Sequence, residues 1–221
     1  MMRSLLLTTA LLLCGAAHAS EPSPRTMKIP PITDEQLNAG LEMGQEIEAR
    51  VDGDLNGDGD LDTVYVVASP DERTVNVVLS VRSEYEAGQT LGGTFKLQPD
   101  RLGGAGLSIK QGVLVIEDLT GGTTAMSATY RYRVAKAQPR MQLIGMDVTI
   151  YSRTWAHDGD EMSWNVVTGD TVTSHLKVKG SGEDASYETL YTRKFKRPAR
   201  TIFMEDTPEP EYELVGVTKA K

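Results

Sequence analysis

Residues 52–67 read DGDLNGDGDLDTVYVV, a stretch that places five aspartates and one asparagine within its first eleven positions. Carboxylates this close to one another repel, so their crowding favours a loop that surrounds a cation. An apolar, β-branched run follows the last aspartate without a break, which is typical of a buried β-strand. The stretch therefore predicts a cation-binding loop that leads directly into a strand.

From Val64 onward the chain carries a β pattern. Short runs rich in β-branched and aromatic residues are separated by turn sequences such as SPDER, LGG, LTGG, HDGDE and TGD. Regular short strands without intervening helical patterns predict a mainly β protein, built as an antiparallel sheet, a sandwich or a barrel. The predicted strands are TVYVVA, TVNVVLSV, GVLVIEDL, ATYRYRVA, MQLIGMDVTIYS, MSWNVVTG, TVTSHLKVKG and ETLYTRKF.

The segments at the two ends of this β region have different patterns. A capping-box sequence begins at Thr33 and predicts a short N-terminal helix over about 34–44. The proline-rich residues 20–32 are typical of a flexible lead-in, and the acidic residues 204–221 are typical of a loosely ordered tail. The predicted organisation is one β-rich domain over 33–203 between two irregular segments.

Residues 1–19 have the pattern of a secretory signal peptide. A basic start, a short apolar stretch and a small-x-small sequence predict cleavage after Ala19. Lipidation of Cys14, the single cysteine, is a weaker alternative, because the large Leu13 precedes it where a small residue is favoured. The apolar stretch is too short to span a bilayer. We therefore expect a periplasmic or secreted protein without a transmembrane segment or a disulfide.

The chain is acidic, with a formal net charge of −8. This charge argues against nucleic acid and anionic membranes as partners, because both repel an acidic surface. It suits a basic protein partner, although acidity also serves solubility.

The residues of the aspartate loop, which we define as 54–62, match the first half of the EF-hand pattern. Oxygen-bearing side chains fall at positions 1, 3, 5 and 9, and a glycine falls at position 6, where the chain turns sharply. The second half departs, because position 12 is Tyr65 rather than a bidentate glutamate. The expected Ca²⁺ ligands are Asp54, Asn56, Asp58, Asp60 through its carbonyl, and Asp62, with Asp52 outside the shell.

A loop of this spacing that runs straight into a strand resembles the calcium loops of FG-GAP and VCBS repeats, which also occur in integrin propellers. The resemblance implies that the ninth-position aspartate, Asp62, closes an EF-hand-like site. It covers some fifteen residues, and the loop occurs once in this chain, so a propeller fold is not implied. The alternative is a solvated turn of aspartates and glycines.

The sequence offers few groups for catalysis. Outside the predicted signal peptide there is no cysteine, and the histidines are His157 and His175. The sequence HDGDE at 157–161 is a candidate acid/base or metal cluster, but such a cluster is more often a polar hairpin turn. Phosphate-loop, HExxH, GxSxG and CxxC motifs are absent. We predict a non-enzyme.

Trp155 and Trp164 flank the HDGDE turn, and we expect them in the core rather than in a surface patch.

A second resemblance lies late in the chain, in KGSGEDASYETLYTRK at 179–194. A polar loop between two strand patterns predicts a protruding hairpin. Its Ser181, Gly182 and Tyr187 resemble the loop that periplasmic lysozyme inhibitors insert into the lysozyme cleft. The four residues between Gly182 and Tyr187 depart from that family's spacing, and two of them are acidic. The alternative is an ordinary glycine/serine hairpin.

The whole chain resembles calcium-binding periplasmic immunity proteins with the fold of the i-type lysozyme inhibitors. The resemblance implies an exported, calcium-stabilised, non-catalytic protein that inhibits a peptidoglycan hydrolase, with Ser181, Gly182 and Tyr187 as partner-binding residues. Two other hypotheses stay open. One is a structural or surface-adhesion module on the same calcium-stabilised scaffold, and the other is a hydrolase built around residues 157–161.

Overall fold

The computed structural model describes residues 27–219, in which the chain forms two antiparallel β-sheets and two helices. The predictions for residues 1–19, Cys14 and residues 20–26 lie outside the described part. The elements are α1 (Asp34–Ala39), β1 (Glu46–Gly53), β2 (Asp62–Ala68), β3 (Arg73–Arg82), β4 (Ala87–Leu97), β5 (Gly106–Lys110), β6 (Val113–Gly121), β7 (Thr124–Val134), β8 (Met141–Ser152), β9 (Gly159–Asn165), β10 (Asp170–Lys179), β11 (Ser186–Lys196) and α2 (Pro210–Lys219).

The first sheet contains β1 to β4 in chain order, and each strand pairs antiparallel with the next. Alternate residues of β2 and β3 point into the core, which is why their sequences alternate so clearly. Val64 and Val66 of β2 and Val75, Val77 and Leu79 of β3 are completely buried.

The second sheet contains β5 to β11, again in chain order and antiparallel throughout. Its inner face packs on the first sheet, and the ring of Phe95 in β4 lies 4.8 Å from that of Tyr130 in β7. One continuous core contains side chains from both sheets. The prediction of a mainly β, antiparallel protein is confirmed. Of the three predicted alternatives, a sheet, a sandwich or a barrel, the chain forms two packed sheets.

A buried ion cluster joins the two sheets at one side of this core. Arg73 of β3 donates to both carboxylate oxygens of Glu48 in β1 (2.9 and 2.6 Å) and to Asp118 of β6 (3.0 Å). Burial opposes ionisation of Glu48, but hydrogen bonds from Arg73 and from Ala105 N–H outweigh it and lower its pKa. Burial raises the pKa of Asp118, whose contacts with Arg73 are longer. Arg73 is thus shared between two buried carboxylates, and Glu48 has a second ion pair with the partly exposed Arg101.

Strand β4 differs from the sequence prediction, which placed a turn at its LGG sequence. A Cβ atom on Gly92 would lie 2.7 Å from Leu79 Cγ, and one on Gly93 would lie 3.0 Å from Met204 Sδ. These glycines allow close packing at a strand irregularity between Val77 and Val78. Strands β1 and β5 were also not predicted, because their sequences carry few β-branched residues.

The N-terminal helix is shorter than predicted, because it ends at Ala39 and is capped by Gly40. Its predicted capping box is present: Gln36 N–H donates to Thr33 Oγ1 (3.2 Å), and Thr33 N–H donates to Gln36 Oε1 (2.8 Å). The described part of the lead-in is tied to the first sheet. Ile29 is buried, and Gln89 donates to Pro30 O (2.9 Å).

The C-terminal segment differs most from its prediction as a loosely ordered tail. A 3₁₀ turn at Met204–Asp206 and helix α2 pack on the core, and Met204, Leu214 and Val217 are buried. Its acidic composition misled the prediction, because Glu213 pairs with Arg197 and the apolar residues of the segment pack on the core. Within residues 27–219 neither helix combines the length and the apolar composition needed to cross a bilayer.

Candidate functional site

The aspartate loop connects β1 to β2, and the pairing of Gly53 with Asp62 closes it at its base. Gly57 and Gly59 have φ angles of +81° and +83°, a conformation that residues with a Cβ atom rarely adopt. The two glycines therefore let the loop curl tightly, and the sixth-position glycine of the sequence pattern stands where such a turn is required.

Side chains of the loop fold back onto its own backbone. Asp54 accepts hydrogen bonds from the N–H groups of Gly57 (2.6 Å) and Gly59 (3.0 Å). Asn56 Oδ1 accepts from Asp58 N–H (2.9 Å), and Asp58 Oδ1 accepts from Asp60 N–H (2.8 Å). The first three predicted ligands are thus drawn to the inside of the loop by donors two to five residues further on.

Asp62 is the most deeply held of the predicted ligands, with 1% of its surface exposed. It accepts from Leu55 N–H (2.7 Å) across the loop, and from Ser80 N–H (2.7 Å) on the neighbouring strand β3. Burial raises the pKa of Asp62, and the nearby charge of Asp58 raises it further. A cation beside these two carboxylates would remove that repulsion.

Ser80 is the residue of this site that sequence analysis missed. Its hydroxyl lies 2.9 Å from Asp62 Oδ1 and 3.2 Å from each carboxylate oxygen of Asp58. Its carbonyl accepts from Asn56 Nδ2 (2.6 Å). Ser80 therefore contacts three predicted ligands from a strand 18 or more residues away, and no local spacing could have indicated it.

The carboxylate of Asp60 takes no part in this arrangement. Arg82 donates to its Oδ2, and Lys28 Nζ lies 3.5 Å from its Oδ1. The hydrogen bonds from Arg82 lower the pKa of Asp60. The predicted role of Asp60 used only its carbonyl, so this geometry leaves that role open. Asp52, predicted to lie outside the shell, pairs instead with Arg50 (3.0 Å) and Thr63 (2.8 Å).

The donor set of the loop suits Ca²⁺, which prefers hard oxygen ligands from carboxylates, amides, carbonyls and hydroxyls. Asp54, Asp58 and Asp62 form no ion pair with a cationic side chain in the described part of the chain, although Asp58 and Asp62 both reach the Ser80 hydroxyl. Among residues 27–219, no three His, Cys, Asp or Glu side chains form a metal-holding group by themselves. A bound ion would therefore depend on the mixed donors Asn56, Ser80 and Asp60 O.

The HDGDE cluster is divided by the fold. His157 lies at the β8–β9 connection, where its Nε2 contacts Thr124 Oγ1 (2.8 Å). Asp158 and Asp160 of the cluster contact His175 instead, which stands directly opposite Asp160 in the β9–β10 pairing. Asp160 Oδ1 lies 2.9 Å from His175 Nδ1, and Asp158 Oδ2 lies 3.4 Å from His175 Nε2.

Both nitrogens of His175 therefore face carboxylates, and its ring stacks on Tyr191 of β11. The hydrogen bond to Asp160 is the main cause that raises the pKa of His175. When it is protonated, the imidazole pairs with both carboxylates and links β9 to β10. It offers no free nitrogen for proton transfer to a substrate.

The predicted hairpin lies between β10 and β11, with a 3₁₀ turn at Gly182–Asp184. Ser181 and Gly182 are exposed at its tip, and Gly180 and Gly182 have φ angles of +73° and +60°. Tyr187 lies at the base of the hairpin loop, paired with Val178 next to the Lys179–Ser186 pair that closes the loop.

The hydroxyl of Tyr187 fixes the hairpin to the β8–β9 connection. It accepts from Ser152 N–H (2.8 Å) and lies 3.2 Å from Ser152 O and 2.9 Å from His157 O. Its ring packs near Trp155, with 5.0 Å between ring centroids. Tyr187 was expected to enter a partner's cleft, but its polar atom is occupied within the protein, so it serves as an anchor.

The two tryptophans have different environments. Trp164 is 1% exposed beneath Arg197, as the expected core position requires, whereas Trp155 is 39% exposed with a φ angle of +60°. The core expectation for Trp155 is therefore wrong, because it lies in the β8–β9 connection rather than on a strand. Its sequence neighbours gave no indication of the positive φ.

No family model matches the chain, and comparisons with curated proteins and with solved structures likewise find no match.

Proposed function

We propose that the aspartate loop binds one Ca²⁺ ion, with Asp54, Asn56, Asp58, Asp62 and the carbonyl of Asp60 as ligands. The observation that supports this is the meeting of the Asp58 and Asp62 carboxylates at the Ser80 hydroxyl, without a cationic side chain on either in the described chain. The ion supplies positive charge that links the β1–β2 connection to β3. Its role is structural.

Calcium titration of the metal-free protein tests this proposal. A ligand that binds only the folded state stabilises it by about 2.7 kcal/mol when its concentration is 100 times its Kd. Calcium should therefore raise the melting temperature of the wild-type protein, and Asp58→Ala and Asp62→Ala should abolish the increase. Asp71→Ala, in the turn between β2 and β3, is the matched control and should retain it. Calorimetry that detects no calcium uptake by the wild-type protein would refute the proposal.

We further propose that the protein is an exported, non-catalytic inhibitor of a peptidoglycan hydrolase, with immunity against such an enzyme as its role. The observation that carries this is the β10–β11 hairpin, whose exposed Ser181–Gly182 tip stands on a base fixed by Tyr187. A glycosidase cleft contains two catalytic carboxylates. A hydroxyl and backbone N–H groups on a projecting tip can donate to such carboxylates and exclude the substrate.

The fixed base matters for affinity. Association costs the conformational entropy of any loop that becomes ordered, so a loop already held in place binds more tightly than a mobile one. The three backbone contacts of the Tyr187 hydroxyl supply this restraint. In this proposal Ser181 and Gly182 contact the enzyme, and Tyr187 positions them.

The test is inhibition of a panel of muramidases that covers the lysozyme families, including any hydrolase encoded beside this protein. Wild-type protein should inhibit at least one of them without any turnover of its own. Ser181→Ala should weaken the inhibition, whereas Ser186→Ala, an exposed serine on the same hairpin, should not. If every enzyme of the panel is unaffected, the inhibitor proposal fails and the structural or adhesion role takes its place.

Export itself is part of the proposal. The signal-peptide pattern predicts export to the periplasm or outside the cell, with a mature chain that begins at Ser20. Intact mass spectrometry of the exported protein measures this directly. A lipid adduct on Cys14 would show a lipoprotein instead.

A further inference from the structure

The β8–β9 connection presents an aromatic side chain in an unfavourable backbone conformation. Trp155 has a φ angle of +60°, and 39% of its surface is exposed. Left-handed backbone costs an L-residue about 1–2 kcal/mol, and bulky residues adopt it rarely. Glycine or asparagine would take this position at lower cost. The stability of the fold alone therefore does not explain why a tryptophan occupies position 155.

The connection is held firmly in this conformation. Ser152 Oγ accepts from the N–H groups of Thr154 (3.3 Å) and Ala156 (2.9 Å), on either side of Trp155. The Tyr187 hydroxyl bonds to the backbone of Ser152 and His157, which bracket the same segment. Strained residues persist where the surrounding contacts over-determine them, and they concentrate at functional sites.

The exposed indole lies next to the base of the proposed inhibitory hairpin. The Trp155 ring packs at 5.0 Å on Tyr187, and the tip begins beyond the adjacent Lys179–Ser186 pair. Glu183 and Asp184 of that tip are exposed, and neither forms an ion pair in the described part of the chain. One end of the molecule therefore combines a fixed aromatic side chain with two unneutralised carboxylates.

We propose that Trp155 is the principal anchor of the interface with the inhibited hydrolase, and that the partner has a basic rim around its cleft. This inference rests on the proposed inhibitor function. Tryptophan is the residue type most enriched among those that dominate binding energy, and a preorganised one loses little entropy on docking. Glu183 and Asp184 complement a basic rim and accelerate encounter with it.

Two substitutions at Trp155 test the anchor. Trp155→Gly and Trp155→Asn both remove the indole and suit a positive φ. We expect them to weaken inhibition of the identified muramidase roughly 30-fold or more, as for a dominant interface residue. Their melting temperatures should equal or exceed that of the wild-type protein, because the backbone strain is relieved. Tyr85→Ala removes a still more exposed aromatic side chain (82%) from the β3–β4 turn and should leave inhibition unchanged.

Each result separates the alternatives. Equal inhibition by the wild type and both Trp155 variants overturns the anchor role but leaves the inhibitor function standing. Weaker inhibition accompanied by a lower melting temperature in both variants also overturns it, since Trp155 would then be structural. An absence of inhibition by the wild-type protein refutes the inhibitor function itself, and the anchor role with it.

The basic rim has its own test. Glu183→Gln combined with Asp184→Asn should slow association with the enzyme and reduce the dependence of the association rate on ionic strength. Surface plasmon resonance at several salt concentrations measures both quantities. An unchanged rate and an unchanged salt dependence would overturn the assignment of a basic rim.

Discussion

The hydroxyl group of Ser80 has one proton and three carboxylate oxygens within 3.2 Å. It can donate to only one of them at a time. The other two carboxylate oxygens therefore lie close to the Ser80 oxygen with no hydrogen between them. A cation bound by Asp58 and Asp62 would be attracted to this oxygen as well. Ser80 thereby links the aspartate loop to β3 through its side chain, in addition to the contacts of its backbone.

We predict that Ser80→Ala lowers the affinity for calcium roughly 10- to 100-fold, as expected for a group that orients metal ligands. The backbone contacts of residue 80 with Asn56 and Asp62 remain in this variant, so the fold should be retained. Isothermal titration calorimetry of the metal-free proteins gives the affinities. Ser127→Ala, on β7 and remote in sequence from the loop, is the control, and equal affinities for all three proteins would contradict the prediction.

The imidazole of His175 makes stability depend on pH. Asp160 and Asp158 raise its pKa in the folded protein, Lys177 lies 3.5 Å from Asp158, and Tyr191 stacks on the ring. A raised folded-state pKa means that the folded protein holds the proton more tightly than the unfolded chain. The stabilisation is therefore complete below the ordinary pKa of about 6.5 and is lost as pH rises through the folded-state value.

His175→Gln should remove this dependence, because the amide keeps a hydrogen-bond donor but cannot take up a proton. We expect the wild-type protein to exceed the variant in stability at about pH 5.5 by more than at about pH 8.5. Urea unfolding at both pH values gives the comparison. His157→Gln is the control. If the stability difference between wild type and His175→Gln is the same at both pH values, protonation of His175 does not stabilise the fold.

At the residue scale, sequence reasoning found what local spacing encodes. Asp54, Asn56 and Asp58 bond to backbone N–H groups within five residues, so their arrangement follows from the loop sequence itself. Ser80 and His175 obtain their partners through strand pairing, which a single sequence does not specify. The position of Tyr187 at the base of the hairpin loop likewise follows from its pairing with Val178, which the sequence alone does not specify.

Among the secondary-structure elements, helix α2 contributes most that the sequence did not indicate. Leu214 is buried in the core shared by both sheets. Glu213 pairs with Arg197, whose guanidinium group lies 4.0 Å from the ring of Trp164. The helix thereby covers the β9 side of the second sheet. It packs on the domain and stabilises it, and does not extend from it as a tail.

Leu214→Ala should therefore destabilise the protein by about 2–4 kcal/mol, the usual range for a buried leucine truncated to alanine. The cost arises from lost apolar burial and from the cavity that remains. Chemical denaturation measures it. Tyr212→Ala, on the exposed face of the same helix, should change the free energy of unfolding by less than about 0.5 kcal/mol. Similar values for both variants would mean that α2 is not part of the cooperative unit.

The elements show why composition was a poor guide at two places. Acidic residues and prolines made 204–221 resemble a loosely ordered tail, but Leu214 and Val217 of α2 are buried against the core. Glycines made β4 resemble a turn, but Gly92 and Gly93 allow the close approach of Leu79 and Met204. Both errors share a cause, because the decisive contact is with a residue distant in the sequence. Strands with strong alternation, such as β2, β3 and β8, were predicted correctly.

For the molecule as a whole, the two sheets are joined by apolar packing and by the Arg73 cluster. Arg73 is 1% exposed and lies between Glu48 of the first sheet and Asp118 of the second. Removing one partner from a buried ion cluster leaves uncompensated charge, which costs far more than the cluster contributes while intact. Arg73 is therefore the side chain that links the two sheets electrostatically, beside their apolar packing.

Arg73→Met keeps most of the side-chain volume, but it leaves Asp118 buried without a cationic partner among the described residues and leaves Glu48 with Arg101 alone. We expect a loss of about 3–5 kcal/mol in the free energy of unfolding near neutral pH. Arg101→Met is the matched control, because Arg101 also pairs with Glu48 but its side chain is 37% exposed. Its loss should cost about 1 kcal/mol or less.

The pH dependence of the Arg73→Met variant distinguishes lost charge compensation from lost packing. Without Arg73, the buried Asp118 has no cationic partner in the described part of the chain, so its folded-state pKa should lie further above its unfolded value and protonation should stabilise the variant as pH falls. The difference in unfolding free energy between variant and wild type should therefore shrink between about pH 7 and about pH 4.5. Urea denaturation across that range measures it. A difference that stays constant would mean that Arg73 joins the sheets through packing, and that its charge has no part in holding them together.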